Sequence, residues 1–159
     1  MQFRTGLGFD VHRLEHGRDF WLGGIKIPHP RGAVGHSDAD VLIHAICDSL
    51  FGAAGLSDIG HYFPDTSEEF KGIDSKLLLK RTLELITEKG FVIGNIDSTI
   101  CLEKPKIAPF IPDMKKILGE VLSIKEDQLS IKATTMERLG FIGREEGVSA
   151  FATALLYKN

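Results

Sequence analysis

Asp10 and His12 stand two positions apart at the end of the stretch Leu7 to Val11. On a strand, that spacing sends both side chains out of one face while Phe9 and Val11 leave the other, so a carboxylate and an imidazole converge. His44 lies on a later segment in which Val41, His44, Asp48 and Phe51 recur at helical spacing. An Asp/His/His set with an open fourth position has the ligand chemistry of a catalytic zinc. The same residues also fit plainer roles. A D-x-H pair can end an edge strand in solvent, and a histidine on an apolar helical face can be a hydrogen-bonded core residue.

His36-Ser37-Asp38-Ala39-Asp40 opens the segment that carries His44. A helix beginning near Ser37 would present unpaired N–H groups and positive dipole charge suited to phosphate. Ser37 with Asp40 three residues on also has capping-box spacing, a structural device that stabilises a helix by about 1 kcal/mol. Ser37 can serve both purposes.

The elements that must position these groups alternate along the chain. Leu7 to Val11 reads as a strand, and Phe20 to Ile27 as a second, joined by the polar loop His16-Gly17-Arg18-Asp19. The helix begun near Ser37 ends at Gly52 or Gly55, and another runs from Ser75 to about Lys89, where Gly90 stops it. Ile96, Ile100 and Leu102 share one face of the next strand while Asn95, Asp97 and Thr99 share the other. A third helix covers roughly Pro112 to Leu122, and Leu129 to Thr134 and Val148 to Tyr157 complete the strands. The last of these is apolar or small on both faces, which predicts burial on both sides. Too few helices remain to cover both faces of the sheet, so neighbouring subunits are expected over part of one.

With 159 residues, 43% of them hydrophobic, and no linker or repeat, residues 1–159 read as a single domain. A formal net charge of -3 with scattered basic residues leaves no footprint for nucleic acid or an anionic membrane. Cys47 and Cys101 form neither a C-x-x-C pair nor a disulfide framework, which suits a reducing compartment. The N-terminal residues lack a signal core or transit peptide, and no apolar run approaches the ~20 residues that span a bilayer. A cytoplasmic protein is expected.

Gly8-Phe9-Asp10-Val11-His12, followed by His36-Ser37-Asp38-Ala39-Asp40-Val41 and His44, resembles the 2-C-methyl-D-erythritol 2,4-cyclodiphosphate synthase family. Further signatures follow in order: Asp58-Ile59-Gly60, Phe63-Pro64-Asp65, Lys104-Pro105-Lys106, Lys132-Ala133-Thr134-Thr135 with Glu137, and Gly143-Arg144 with Glu146-Gly147. The match spans essentially the whole chain. It implies an α+β, ferredoxin-like fold, a mixed four- to five-stranded sheet with helices on one face, assembling as a homotrimer around the sheets with active sites between subunits. It implies zinc at Asp10, His12 and His44, and magnesium or manganese at Glu137 with substrate phosphates. His36 and Ser37 would contact phosphate; Asp58, Ile59, Gly60, Phe63 and Asp65 would hold the methylerythritol part. Lys106 would wall the cytidine pocket, Thr134 and Thr135 would contact nucleotide and phosphate, and Ala133, Phe141 and Arg144 would also bind the small-molecule, cytidine diphosphate-linked substrate, with His36 and Thr135 donating to developing charge. Ser67 stands where many relatives carry aspartate and Met136 where several carry a polar residue, so no contact is carried over to them.

The activity implied is cyclodiphosphate formation with release of CMP, a step of non-mevalonate isoprenoid precursor synthesis. The residues alone leave two rivals: a zinc hydrolase in which Asp10, His12 and His44 activate water, although H-E-x-x-H is missing, and a non-catalytic oligomer that stores or senses metal.

Overall fold

The computed structural model describes residues 2–158. Its strands and helices follow in the order β1 (Gln2–His16), β2 (Phe20–Leu22), β3 (Ile25–Ile27), β4 (Arg31–Val34), α1 (Val41–Ala54), α2 (Ile59–Tyr62) and α3 (Ser75–Glu88). Then come β5 (Val92–Cys101), α4 (Ile111–Leu122), β6 (Leu129–Thr134), α5 (Gly140–Gly143) and β7 (Gly147–Lys158). Five strands form one mixed sheet in the order β4-β1-β7-β5-β6, in which β5 and β6 run parallel and the other neighbours antiparallel.

The long pair β1/β7 runs from Gln2↔Lys158 to Arg13↔Gly147 and sets the frame for everything else. α1 packs directly onto it because Gly6 and Gly8 have no side chain; a methyl group at either would overlap the Ser49 or Ala45 carbonyl. Ile43, Ile46 and Leu50 of α1 join Ile96, Ile100, Ala150, Ala152 and Leu156 of the sheet in a core from which solvent is excluded. At about 25 cal/mol per Å² of apolar surface removed from water, such packing holds α1 against β1 far more firmly than helix propensity does.

Several elements differ from the sequence expectation. The first strand extends well beyond Leu7 to Val11 at both ends, since β7 supplies partners along its whole length. Phe20 to Ile27 is a hairpin, not one strand: Gly23 (φ 62) and Gly24 (φ 81) take the left-handed turn that two-residue hairpins require. β4 is a short edge strand that pairs only with the tail of β1.

α1 begins at Val41 with Asp40 as its N-cap, and the Asp40 carboxylate accepts from the Ile43 N–H at 3.1 Å. The expected start near Ser37 and its capping box are therefore not formed. The Ser37 hydroxyl instead accepts from the Ala39 N–H two residues on, at 3.1 Å. The helix ends as expected at Gly55, in the left-handed region at φ 68.

β7 is not buried on both faces. Val148, Ala150, Ala152, Ala154 and Leu156 face the core, whereas Phe151 and Thr153 are exposed. On the same outer face Phe3, Leu7, Phe9 and Val11 of β1 are also exposed, with the Phe9 and Phe151 rings 4.8 Å apart. Helices thus cover one face of the sheet and leave an apolar stripe on the other. No helix among the described residues is long and apolar enough to cross a membrane.

Candidate metal centre and adjoining pockets

Asp10 and His12 leave β1 toward α1, as their spacing requires, and meet His44 in the first turn of that helix. Asp10 Oδ2 lies 2.9 Å from His12 Nε2 and 3.0 Å from His44 Nδ1, and the two ring nitrogens are 3.1 Å apart. Tetrahedral zinc with ligand bonds of about 2.0–2.1 Å has ligand–ligand edges of about 3.3 Å, so this triangle admits the ion with a slight outward relaxation. It is the one such cluster of potential metal ligands among the described residues.

The chemistry of the donors agrees with the distances. The Nδ1–H of His12 donates to the Val34 carbonyl at 3.1 Å, so Nε2 is the ring nitrogen that faces the triangle and would give up its proton when a metal binds. Burial works against an ionised Asp10, but hydrogen bonds to His12 and His44 and their charge outweigh it and hold the carboxyl well below the ordinary carboxylate range. Burial likewise opposes a charged His44, yet Asp10 outweighs it and raises that imidazole. The triangle therefore favours positive charge at its centre.

His44 Nε2 points the other way, 3.0 Å from Ser75 Oγ and 3.1 Å from Ser37 Oγ. The Ser75 hydroxyl donates to Asp38 Oδ1 at 2.5 Å, and the Ser75 N–H donates to Asp38 Oδ2 at 3.0 Å. Sequence reasoning missed both partners. Asp38 was in view as part of the His36 to Asp40 run, but nothing local marks Ser75, which arrives from the first position of α3.

The centre opens into a cavity of ≈ 380 Å³ lined in part by His36, Ser37, Ile59, Gly60, Phe63 and Asp65. Each has a local cause. Asp58 caps the single turn α2 by accepting from the His61 N–H at 2.9 Å, while Asp48 of α1 accepts from the Ile59 N–H at 2.8 Å and pins that turn beside the helix. Phe63 packs edge-on against Phe70, which also lines the cavity with Gly35 and Leu78. His36 Nε2 donates to the Ser67 carbonyl at 2.9 Å, and the Gly72 N–H to the His36 carbonyl at 2.7 Å, tying the segment after Phe63 to the metal centre.

Lys106, Ala133, Thr134 and Thr135 meet elsewhere, in a second recess of ≈ 180 Å³ formed where the ends of β5 and β6 run side by side. Glu137 lies beyond it with φ 51, its carboxylate within 3.3 Å of Thr135 Oγ1, and it belongs to no cluster of three or more potential metal ligands among the described residues. Phe141 and Arg144 line neither recess. Phe141 is exposed beside Gly147, and Arg144 pairs with Glu146 at 3.0 Å. One chain thus gathers the metal residues and the expected methylerythritol contacts, but keeps the expected nucleotide contacts apart from them. Cys47 and Cys101 are free and buried, and burial pushes the Cys47 thiol up to about 12, so it takes no part in chemistry.

The sequence profile of the YgbB family matches residues 3–157. The chain is 60% identical over 156 residues to a 2-C-methyl-D-erythritol 2,4-cyclodiphosphate synthase of Bacteroides fragilis, covering 98% of each. Among solved structures, the bifunctional IspDF of Campylobacter jejuni superposes with a TM-score of 0.95 at 40% identity, over 99% of this chain and 43% of that longer one. IspF of Plasmodium falciparum in complex with CDP superposes with a TM-score of 0.86 at 36% identity, over 99% of this chain and 97% of that one.

Proposed function

The chain belongs to the YgbB family, and from that membership we propose how it carries out the reaction of the 2-C-methyl-D-erythritol 2,4-cyclodiphosphate synthases, a step of non-mevalonate isoprenoid precursor synthesis. Its substrate is 4-diphosphocytidyl-2-C-methyl-D-erythritol 2-phosphate. An oxygen of the 2-phosphate attacks the β-phosphorus, the bond from that phosphorus to the oxygen bridging it to the α-phosphate breaks, and CMP departs with the electron pair. The observation that carries this assignment is the Asp10, His12 and His44 triangle opening into a cavity walled by His36 and Ser37.

The nucleophile is already an anion, so the residues need supply no general base; they must hold two mutually repelling phosphates in line and receive charge as it moves to the leaving group. Asp10, His12 and His44 would hold a zinc ion, which would supply Lewis acidity toward phosphate, and Glu137 would help hold magnesium or manganese, which would supply further positive charge. His36 and Ser37 bind phosphate oxygens at the metal side of the cavity. Asp58, Ile59, Gly60, Phe63 and Asp65 hold the methylerythritol portion. Lys106, Ala133 and Thr134 seat the cytidine part. Thr135 donates a hydrogen bond to the oxygen where charge develops, with Phe141 and Arg144 at the margin.

The metal recess and the nucleotide recess belong to one reaction if neighbouring subunits juxtapose them, and the apolar outer face of β1 and β7 supports a closed homotrimer that would do so. The chain acts as a single domain, and the free cysteines suit a reducing cytoplasm. Incubation with the cytidylyl substrate tests the assignment. Cyclic diphosphate plus CMP supports it, whereas linear phosphate products would make the centre a zinc hydrolase.

A further inference from the structure

Ser75 is fully buried and lies between His44 and Asp38, touching a side-chain atom of each. We infer that Asp38 and Ser75 are positioning residues for the metal centre, a role that rests on Asp10, His12 and His44 being the metal set. The carboxylate orients the Ser75 hydroxyl, the hydroxyl holds the His44 imidazole with its proton on Nε2, and the Nδ1 lone pair is thereby committed to the metal.

The assignment follows from which atoms can donate. Asp38 accepts from the Ser75 hydroxyl at 2.5 Å, the Ser75 N–H at 3.0 Å and the Asp40 N–H at 3.2 Å, so both its oxygens are engaged and, as a carboxylate, it can only accept. The one hydroxyl hydrogen of Ser75 is therefore spent on Asp38. Only lone pairs remain on Ser75 Oγ to face His44 Nε2 at 3.0 Å, and that contact is attractive only if Nε2 carries the proton. The neutral imidazole that binds a metal has one ring proton, so with Nε2 protonated Nδ1 is the nitrogen left for the ion.

Ser37 does not impose this on its own. Its hydroxyl, 3.1 Å from His44 Nε2, can rotate to donate or to accept and also takes the Ala39 N–H, so it follows whichever tautomer is present. His12 is fixed by different means, through the Val34 carbonyl. The two histidines thus reach the same metal-ready state by unrelated contacts, one through backbone on β4 and one through a side-chain relay from α3. The relay also fastens α3 to the loop before α1, because the Ser75 N–H and hydroxyl both bind Asp38.

The test is zinc affinity by competition with a chromophoric chelator, on the full chain, with zinc alone as the probe. Loss of such an outer partner typically weakens metal binding about 10–100-fold, and that is the expected effect of Ser75→Ala. Ser75→Thr, which keeps the hydroxyl, should hold zinc more tightly than Ser75→Ala, and Asp38→Asn should fall between Ser75→Ala and wild type. The His44 Nε2–H resonance of the zinc-loaded protein should move upfield in Ser75→Ala as its strong acceptor is lost. Unchanged zinc affinity with an unmoved resonance would overturn the inference. So would a fall in the metal-free thermal midpoint large enough to account for the whole loss, which would make Ser75 a packing residue only. Wild-type protein that takes up no zinc would remove the metal set itself, and the positioning role with it.

Discussion

The Asp40 carboxylate accepts from the Gly24 N–H at 2.7 Å across the join between the β2–β3 hairpin and the start of α1. It also accepts from Gly23 at 2.9 Å and from Ile43 at 3.1 Å, and the side chain has no exposed surface. Burial raises its pKa, and the three backbone donors hold it down only in part. Replacing Asp40 by alanine leaves those buried donors without a partner, at about 1–3 kcal/mol for each group. We expect Asp40→Ala to lose about 3 kcal/mol or more of stability in urea unfolding. Zinc uptake should fall as well, because His44 follows Asp40 within the first turn of α1. A variant as stable as wild type would show that the hairpin does not depend on this cap.

His12→Ala removes one corner of the metal triangle from a half-buried position on β1, where the backbone pairing to Val148 does not depend on the side chain. Zinc content and CMP release should both fall to near background, while the far-ultraviolet circular dichroism stays that of wild type. Full zinc content by elemental analysis would remove His12 from the centre.

The pH dependence of metal-free stability has a definite sign. Asp10 is held below its unfolded value of 3.8, so its contribution is present above that value and lost as pH falls through the lower folded value. His44 is raised above 6.5, so its contribution is present below 6.5 and lost as pH rises through the higher folded value. In chelator, this pair should stabilise most between 3.8 and 6.5, and the thermal midpoint should decline as pH rises above that window. Saturating zinc should reverse the trend, because the metal needs unprotonated imidazoles. Scanning calorimetry with and without zinc would reveal it; parallel curves would dissociate the ion from these side chains.

The parity of Asp10 and His12 on β1 was legible in the sequence because a strand has a period of two whatever surrounds it. The helical spacing of His44 was legible for the same kind of reason. The start of α1 was not, since Ser37 and Asp40 are both good caps and only the buried hairpin selects Asp40. The Gly23-Gly24 pair did carry a hairpin signal within Phe20 to Ile27. β4 carries none of its own, for Arg31-Gly-Ala-Val has no alternation and becomes a strand only by pairing with β1. Phe151 reads as a buried residue because apolar side chains look alike whether a helix or another subunit is meant to cover them. Ser75 was invisible because its importance comes from α3 folding back onto His44.

Glu137 tests whether the second ion belongs to the site. Its carboxylate accepts from the Thr135 hydroxyl at 3.3 Å, and its backbone takes the left-handed region at φ 51. Glu137→Gln removes the charge but keeps the shape, so zinc content should be unchanged while half-maximal activity requires more magnesium or manganese. A magnesium titration that overlays the wild-type curve would separate Glu137 from any ion.

The two recesses make the strongest demand on assembly. His12, His44 and His36 line one, and Lys106, Thr134 and Thr135 the other, so within one chain the two halves of the proposed site lie in separate recesses. The outer sheet face carries Phe3, Leu7, Phe9 and Phe151 in the open, a surface that a closed threefold ring would bury. If one subunit's metal recess works with its neighbour's nucleotide recess, His12→Ala and Thr135→Ala damage different halves of every shared site. Each variant alone should be inactive. Unfolded and refolded together, they should regain part of the wild-type CMP release, because some interfaces then pair an intact metal recess with an intact nucleotide recess. The recovered activity should rise and fall with the fraction of mixed oligomers, resolved by native mass spectrometry of differently tagged subunits. Mixed oligomers that form in good yield and stay inactive would assign each site to a single chain.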